Sequence, residues 1–287
     1  MAAARKILAI LTLAYNRFAL HDGWAIASHI ALSALFSFFP FLILLTSLAA
    51  TFEFGTLADN ATDIILDVLP AEIAGPLAAE VRTVLTEWRG DLLTIGAALA
   101  LYFSSNGIEA LRVGLNRAYG VRENRSWYVT RLESIVFVAI MAAVMMVYSL
   151  VFVLGPLLWR AAMGFFPFLS PFSQAIGALR FGATTLLIAV ALVVTHKYLA
   201  AGYRSFASVL PGVAVTLVLW VVGGLAFGFY LAQFPGSYAS TYGGLATAMM
   251  SLIFLYTIAI IFIVGGEING AAIALAKSAK KSRAARG

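Results

Sequence analysis

The residues best suited to chemistry are few and lie in apolar surroundings. Asn106, Glu109, Arg112 and Asn116 follow one another at intervals of three, three and four, so on a helix they form one polar stripe. Glu109 and Arg112 then stand one turn apart, within pairing reach. A second group closes the last apolar run, Gly265-Gly266-Glu267-Ile268-Asn269, where the glycines admit another backbone and Glu267 offers a carboxylate, with Asn269 and Lys197 as its nearest candidate partners. His29, beside Ser28 and Ser33, adds an imidazole able to relay protons, bind a phosphate or bond a neighbouring helix. Ionisable groups within lipid face a bundle interior or a wet cavity, so this set is the candidate lining of an inward-facing cavity. The competing reading is structural: a stripe marking where a helix leaves lipid, and side chains that only pack helices.

Covalent chemistry finds no such foothold. The chain has no cysteine, which excludes disulfides, thiolate metal sites and cysteine nucleophiles. It contains no H-E-x-x-H, no G-x-S-x-G and no phosphate-cradling loop, and its three histidines, at 21, 29 and 196, lie far apart. No catalytic residue, metal ligand, cofactor or nucleotide is therefore expected, and no nucleic acid as partner.

The elements that must position these residues follow from composition. Of 287 residues, 62% are hydrophobic and only 11% charged, with a mean hydropathy of +0.95. A soluble domain carries about 25% charged residues, so the solvent for much of this chain is lipid. Six stretches are long and apolar enough to span it: 25–48, 92–111, 134–158, 178–198, 209–231 and 243–266. The second is the least apolar, since Ser104-Ser105-Asn106-Gly107 interrupts it. Pro40 in the first should bend that helix and free a carbonyl near mid-membrane. Ser208 reads as a cap for the fifth, with Pro211 in its first turn.

Lysine and arginine set the orientation. With the N-terminus inside, fifteen of them fall on the inner side, in 1–24, 112–133, 197–208 and 267–287, and only Arg82, Arg89, Arg160 and Arg180 fall outside. Both termini are therefore expected in the cytoplasm. Residues 1–24 read as an amphipathic segment along the inner surface, 25–270 as the six-helix transmembrane domain, and 271–287 as a basic cytoplasmic tail. The outer loop 49–91 carries eight acids, with Asp59, Asp63 and Asp67 four apart, and reads as two short amphipathic helices separated by Pro70 and Pro76. His196-Lys197 at the inner end of the fourth span reads as a charge anchor. The expected fold is thus an all-α membrane protein of six transmembrane helices plus short interfacial and extracytoplasmic helices.

These residues also resemble a known family, the YihY/BrkB family of bacterial inner-membrane proteins. The resemblance rests on His21-Asp22-Gly23, Ala34-Leu35-Phe36-Ser37-Phe38-Phe39-Pro40, Leu115-Asn116-Arg117-Ala118-Tyr119 with Arg131-Leu132, Leu210-Pro211-Gly212, Tyr238 with Tyr242-Gly243-Gly244, and Gly265-Gly266-Glu267-Ile268-Asn269. It implies six spans with cytoplasmic ends in the bacterial plasma membrane. Members have carried a ribonuclease BN label, for which this sequence has no zinc–histidine cluster, and branches have been linked to lipopolysaccharide-precursor export and to serum resistance. The resemblance thus favours a transport-related protein for a lipid, amphiphile or small solute, with membrane lipids as partners, compatible with a homo-oligomer, and without an ATPase of its own. The alternative is a non-transporting scaffold for envelope processes.

Overall fold

The computed structural model describes residues 2–50, 93–233 and 245–284. Among these it has seven α-helices and no strand: α1 Ala2–Leu20, α2 Gly23–Ala50, α3 Leu93–Tyr119, α4 Trp127–Phe165, α5 Ser173–Val194, α6 Phe206–Gln233 and α7 Ala246–Ala284. A 3₁₀ turn, Pro167–Phe172, precedes α5, and a π-helical turn, Thr195–Leu199, follows it. The outer segment with Asp59, Asp63 and Asp67, and the Tyr238 and Tyr242-Gly243-Gly244 stretch, lie outside the described residues.

Five of these helices are long and apolar enough to cross a membrane, at Gly23–Leu45, Trp127–Ser149, Ser173–Leu199, Phe206–Gln233 and Ala246–Ala279. The stretch expected as a span at 92–111 is helical, as α3, whose 27 residues suffice in length, but it is not among these five. Its serines, Asn106 and Glu109 keep its apolarity below that of the other five. Two boundaries differ from the sequence reading. Helix α6 begins at Phe206 rather than 209, because Ser208 sends both its backbone N–H and its hydroxyl to the Ser205 carbonyl. Pro211 therefore sits in the second turn rather than the first. The basic tail is not separate either, since α7 runs on through the alanine-rich 271–284 to Ala284, a composition that favours helix. Pro40 lies inside α2, which stays helical through it to Ala50.

The chain forms two compact units. The first comprises Met1–Leu35, Gly107–Glu133 and Ile188–Gly287, the second Phe36–Asn106 and Ser134–Leu187. In the first, α1 packs on α7 through Ala14, Ile268 and Ala271, with Ile10, Leu13 and Val264 around them. Glycines set the helix spacing. A Cβ on Gly212 of α6 would run into the Gly265 carbonyl of α7, and one on Gly270 would lie 2.6 Å from the Ala118 carbonyl of α3. Close backbone approach of this kind is how helices associate in lipid, where apolar burial gives little drive. In the second unit Tyr148 and Thr184 share a hydrogen bond of 2.6 Å, and the Arg180 guanidinium lies 4.2 Å over the Phe152 ring while donating to that residue's carbonyl. Large apolar side chains such as Val151, Leu179, Phe181 and Leu225 are about two-thirds or more exposed, which suits a lipid environment.

Candidate functional site: a buried polar junction

Two helix ends and a turn build the junction. Helix α1 turns Ala14, Arg17 and Phe18 to its buried side, at the spacing of one helix face. It stops at the turn His21-Asp22, where Asp22 takes a left-handed φ of 57°, a conformation aspartate tolerates better than most residues. A Cβ on Gly23 would strike the Phe18 ring, so the turn can close tightly only with glycine there. His21 is thereby carried back over α7. At the far end, α3 stops on Gly120, with φ 64°. Its N–H bonds the Arg117 carbonyl and the Val121 N–H bonds the Asn116 carbonyl, both at 2.9 Å, a glycine C-cap that satisfies the last carbonyls.

Glu267 is fully buried. Its Oε2 accepts from Arg17 Nε at 3.0 Å and its Oε1 lies 2.6 Å from His21 Nδ1. The second face of Arg17 donates to the Ala118 carbonyl at 2.8 Å, so one guanidinium ties α1 to both α7 and α3. These partners replace the expected Asn269 and Lys197. A buried carboxylate is costly unless paired and hydrogen-bonded, and here both oxygens are used.

Asn269, also fully buried, reads the backbone of α6 in both directions. Its Oδ1 accepts from the Gly212 N–H at 2.7 Å, and its Nδ2 donates to the Val209 carbonyl at 2.9 Å and to the Tyr119 hydroxyl at 3.2 Å. The Tyr119 hydroxyl also meets His196 Nδ1 at 2.9 Å. His196 is buried against Phe262, 5.0 Å between ring centroids, and its Nε2 has no hydrogen-bond partner. It is a core residue and not the surface anchor that its place beside Lys197 suggested. Arg204 lies 4.4 Å over the Tyr119 ring and donates to the carbonyls of His196, Ala200 and Ala201. The π turn and the chain end after it leave those carbonyls for a side chain to satisfy. Burial pulls the Arg204 pKa below its ordinary value.

Further along α3, Asn116 accepts from the Ala201 N–H at 2.7 Å and donates to Glu123 at 3.0 Å. Arg125 grips Glu123 and Glu133, at 2.7 and 2.6 Å. Its hydrogen bonds hold the Glu123 carboxyl down to about 2. Arg112, buried, pairs with Glu109 as its spacing foretold, and Glu123 stands 3.9 Å away. Every acidic residue among the described ones thus faces an arginine, since Asp22 also meets Arg117 at 3.5 Å.

Of the residues singled out from sequence, Glu109, Arg112, Asn116, Glu267 and Asn269 all belong to the first unit, and the last four are buried there. His29 is on an exposed face of α2, and Asn106 is exposed and, like Pro40, in the second unit. Arg17, His21, Tyr119, His196 and Arg204 complete the network without having been foreseen as its members. Of these, His21 and Tyr119 stood inside motifs of the family resemblance, His21-Asp22-Gly23 and Leu115-Asn116-Arg117-Ala118-Tyr119. Among the described residues no three of His, Asp and Glu gather as a metal site.

The comparisons agree with one another. The profile of the family described as "Virulence factor BrkB" matches residues 14–287. The chain is 31% identical over 255 residues to the ribonuclease-like protein YfkH of Bacillus subtilis, covering 89% of this chain and 92% of that one. It is 28% identical over 264 residues to the UPF0761 membrane protein RC1_0578 of Rhodospirillum centenum, covering 89% of this chain but 55% of the longer relative. No solved structure matches.

Proposed function

Because the chain belongs to the BrkB (YihY/BrkB) family of membrane proteins, we propose that it is a six-span protein of the bacterial plasma membrane with both termini in the cytoplasm. We propose further that it is transport-related, moving a lipid or other amphiphile without an ATPase of its own. The observation that carries the transport reading is the fully buried, ionisable Glu267 in α7, latched to Arg17 and His21 of the N-terminal segment. An ionisable residue within a span is expensive and marks a functional path more often than packing alone requires. The π turn at His196 adds weight, because such turns concentrate at functional sites.

The orientation has its own check. Single cysteines placed in this cysteine-free chain are expected to react with an impermeant thiol reagent from outside at Asp63 and Gly236, and not at Arg122 or Lys280. Outside labelling of Arg122→Cys would overturn the six-span arrangement.

For transport, the protein is reconstituted in phosphatidylethanolamine–phosphatidylglycerol vesicles holding a fluorescent phospholipid, and dithionite is added outside. Bleaching is expected to pass beyond the outer leaflet, and to slow severalfold in Glu267→Gln. Bleaching that stops at the outer leaflet in the unmutated protein ends the lipid-transport reading. The scaffold reading would then stand, and one observation already favours it: the Glu267 carboxylate is taken up by Arg17 and His21, and the Asn269 amide by Tyr119 and backbone groups. The name of the Bacillus relative makes RNA cleavage the third activity to assay, and the protein is expected to leave RNA intact.

A further inference from the structure

A second feature of the first unit plays no part in that latch. The loop joining α3 to α4 and the loop joining the π turn to α6 enclose a cleft of about 460 Å³. Its lining holds four cations, Arg122, Arg125, Lys197 and Arg204, against one acid, Glu123. Glu133 approaches Arg125 from behind, so counting it the local charge is still positive. The cations divide into two kinds. Arg125 and Arg204 are committed to structure, because between them they take the carbonyls of His196, Leu199, Ala200 and Ala201. The backbone acceptors that would repel an anion are therefore already engaged, while Arg204, only 6% exposed, leaves its charge in the wall. Arg122 and Lys197 are the adjustable pair. Arg122 is exposed, and the Lys197 ammonium is held over the Phe206 ring, 3.4 Å from its centroid, and on the Tyr198 hydroxyl at 3.0 Å.

Tyr198 and Tyr203 of the lining are more than half exposed, as is Phe206 beneath the Lys197 ammonium, and exposed tyrosines of this kind settle at the headgroup level of a bilayer. A cationic cleft with two such tyrosines in its lining matches a phosphate at the membrane surface. Cations in a partly desolvated cleft bind phosphate by charge-assisted hydrogen bonds, the stronger sort.

We propose that this cleft is a phosphate-binding site, with Arg122 and Lys197 as the closing pair and Arg204 as the fixed wall. The cleft's existence stands on its own geometry, and only its placement on the cytoplasmic face rests on the orientation proposed above. Two sources could supply the phosphate, a phospholipid headgroup or a free phosphate ion.

Purified full-length protein in neutral detergent is titrated with short-chain phosphatidylglycerol, short-chain phosphatidylcholine and inorganic phosphate, and binding is read by native mass spectrometry. The double variant Arg122→Gln/Lys197→Gln removes the closing pair, and Arg5→Gln/Lys6→Gln on α1 removes equal charge elsewhere. The expected result is binding to the unmutated protein that falls about tenfold or more in the cleft variant and is unchanged in the α1 variant. Phosphatidylglycerol bound with no competition from inorganic phosphate assigns the headgroup; competition at similar concentration assigns the free ion. Equal binding by both variants and the unmutated protein, or equal weakening in both variants, overturns the proposal. Arg122 is exposed and Lys197 partly buried, so unchanged melting of the variant is the control for folding. No binding to an unmutated protein that still moves lipid would refute this site alone, and lipid movement absent with binding intact would refute only the transport reading.

Discussion

Replacing Glu267 with alanine is expected to destabilise the protein by about 3 kcal/mol. The carboxylate is fully buried and accepts from Arg17 at 3.0 Å while meeting His21 at 2.6 Å. Its removal strands the Arg17 guanidinium beside Ala118 and the α7 glycines, with only the Ala118 carbonyl left to bond. Breaking one side of a buried pair costs about 3–5 kcal/mol. The lower end applies here because the Arg17 side chain is 20% exposed and keeps some water. Glu267→Gln should cost far less, since its amide oxygen still accepts from Arg17 Nε. Thermal melts in detergent check both. A double variant, Arg17→Met/Glu267→Leu, should recover much of the loss, because two apolar side chains leave no buried charge without a partner. If Glu267→Ala melts with the unmutated protein, the latch does not form. If Glu267→Gln loses lipid movement and thermal stability together, the latch is structural and the scaffold reading gains.

What the sequence could disclose was decided by range. Glu109 and Arg112 are three apart on one helix, so their pairing follows from helix geometry alone. The apolar runs gave the helical membrane architecture, with helix ends wrong by a few residues where Ser205 rather than Ser208 received the first turn's donors. Glu267 could be recognised as a residue needing a partner, but Arg17 lies 250 positions away. Nothing local distinguishes that arginine from one that merely flanks an apolar run. His196 misled for a different reason. Beside Lys197 it looked like an anchor, but the π turn adds a residue to the last turn and sets the imidazole inward against Tyr119 and Phe262. Backbone irregularity of that kind has no period to betray it. The glycines of α7 were legible as a close-packing surface, although which helices they admit, α3 and α6, depends on long-range contacts.

Replacing Asn269 with leucine should cost a comparable amount, about 3 kcal/mol, by a different route. Leucine has the branching and heavy-atom count of asparagine, so no cavity opens, but three polar groups lose a partner: the Gly212 N–H, the Val209 carbonyl and the Tyr119 hydroxyl. A buried donor or acceptor left unsatisfied costs about 1–3 kcal/mol. The hydroxyl still has His196 Nδ1, so the two backbone groups supply most of the effect. Asn269→Asp should be worse still. A carboxylate keeps the acceptor for Gly212 but turns an oxygen toward the Val209 carbonyl, lone pair against lone pair, in a site with no cation among its bonded partners. Tyr119→Phe removes one hydroxyl and should cost only about 1 kcal/mol. The order of melting temperatures is therefore Tyr119→Phe above Asn269→Leu above Asn269→Asp. Amide exchange gives the sharper reading, because the Gly212 N–H should exchange markedly faster in Asn269→Leu than in the unmutated protein, while amides in the second unit keep their rates. Equal exchange at Gly212 in the two proteins would mean that Asn269 does not fasten α7 to α6, and that the glycine contact alone holds those helices together.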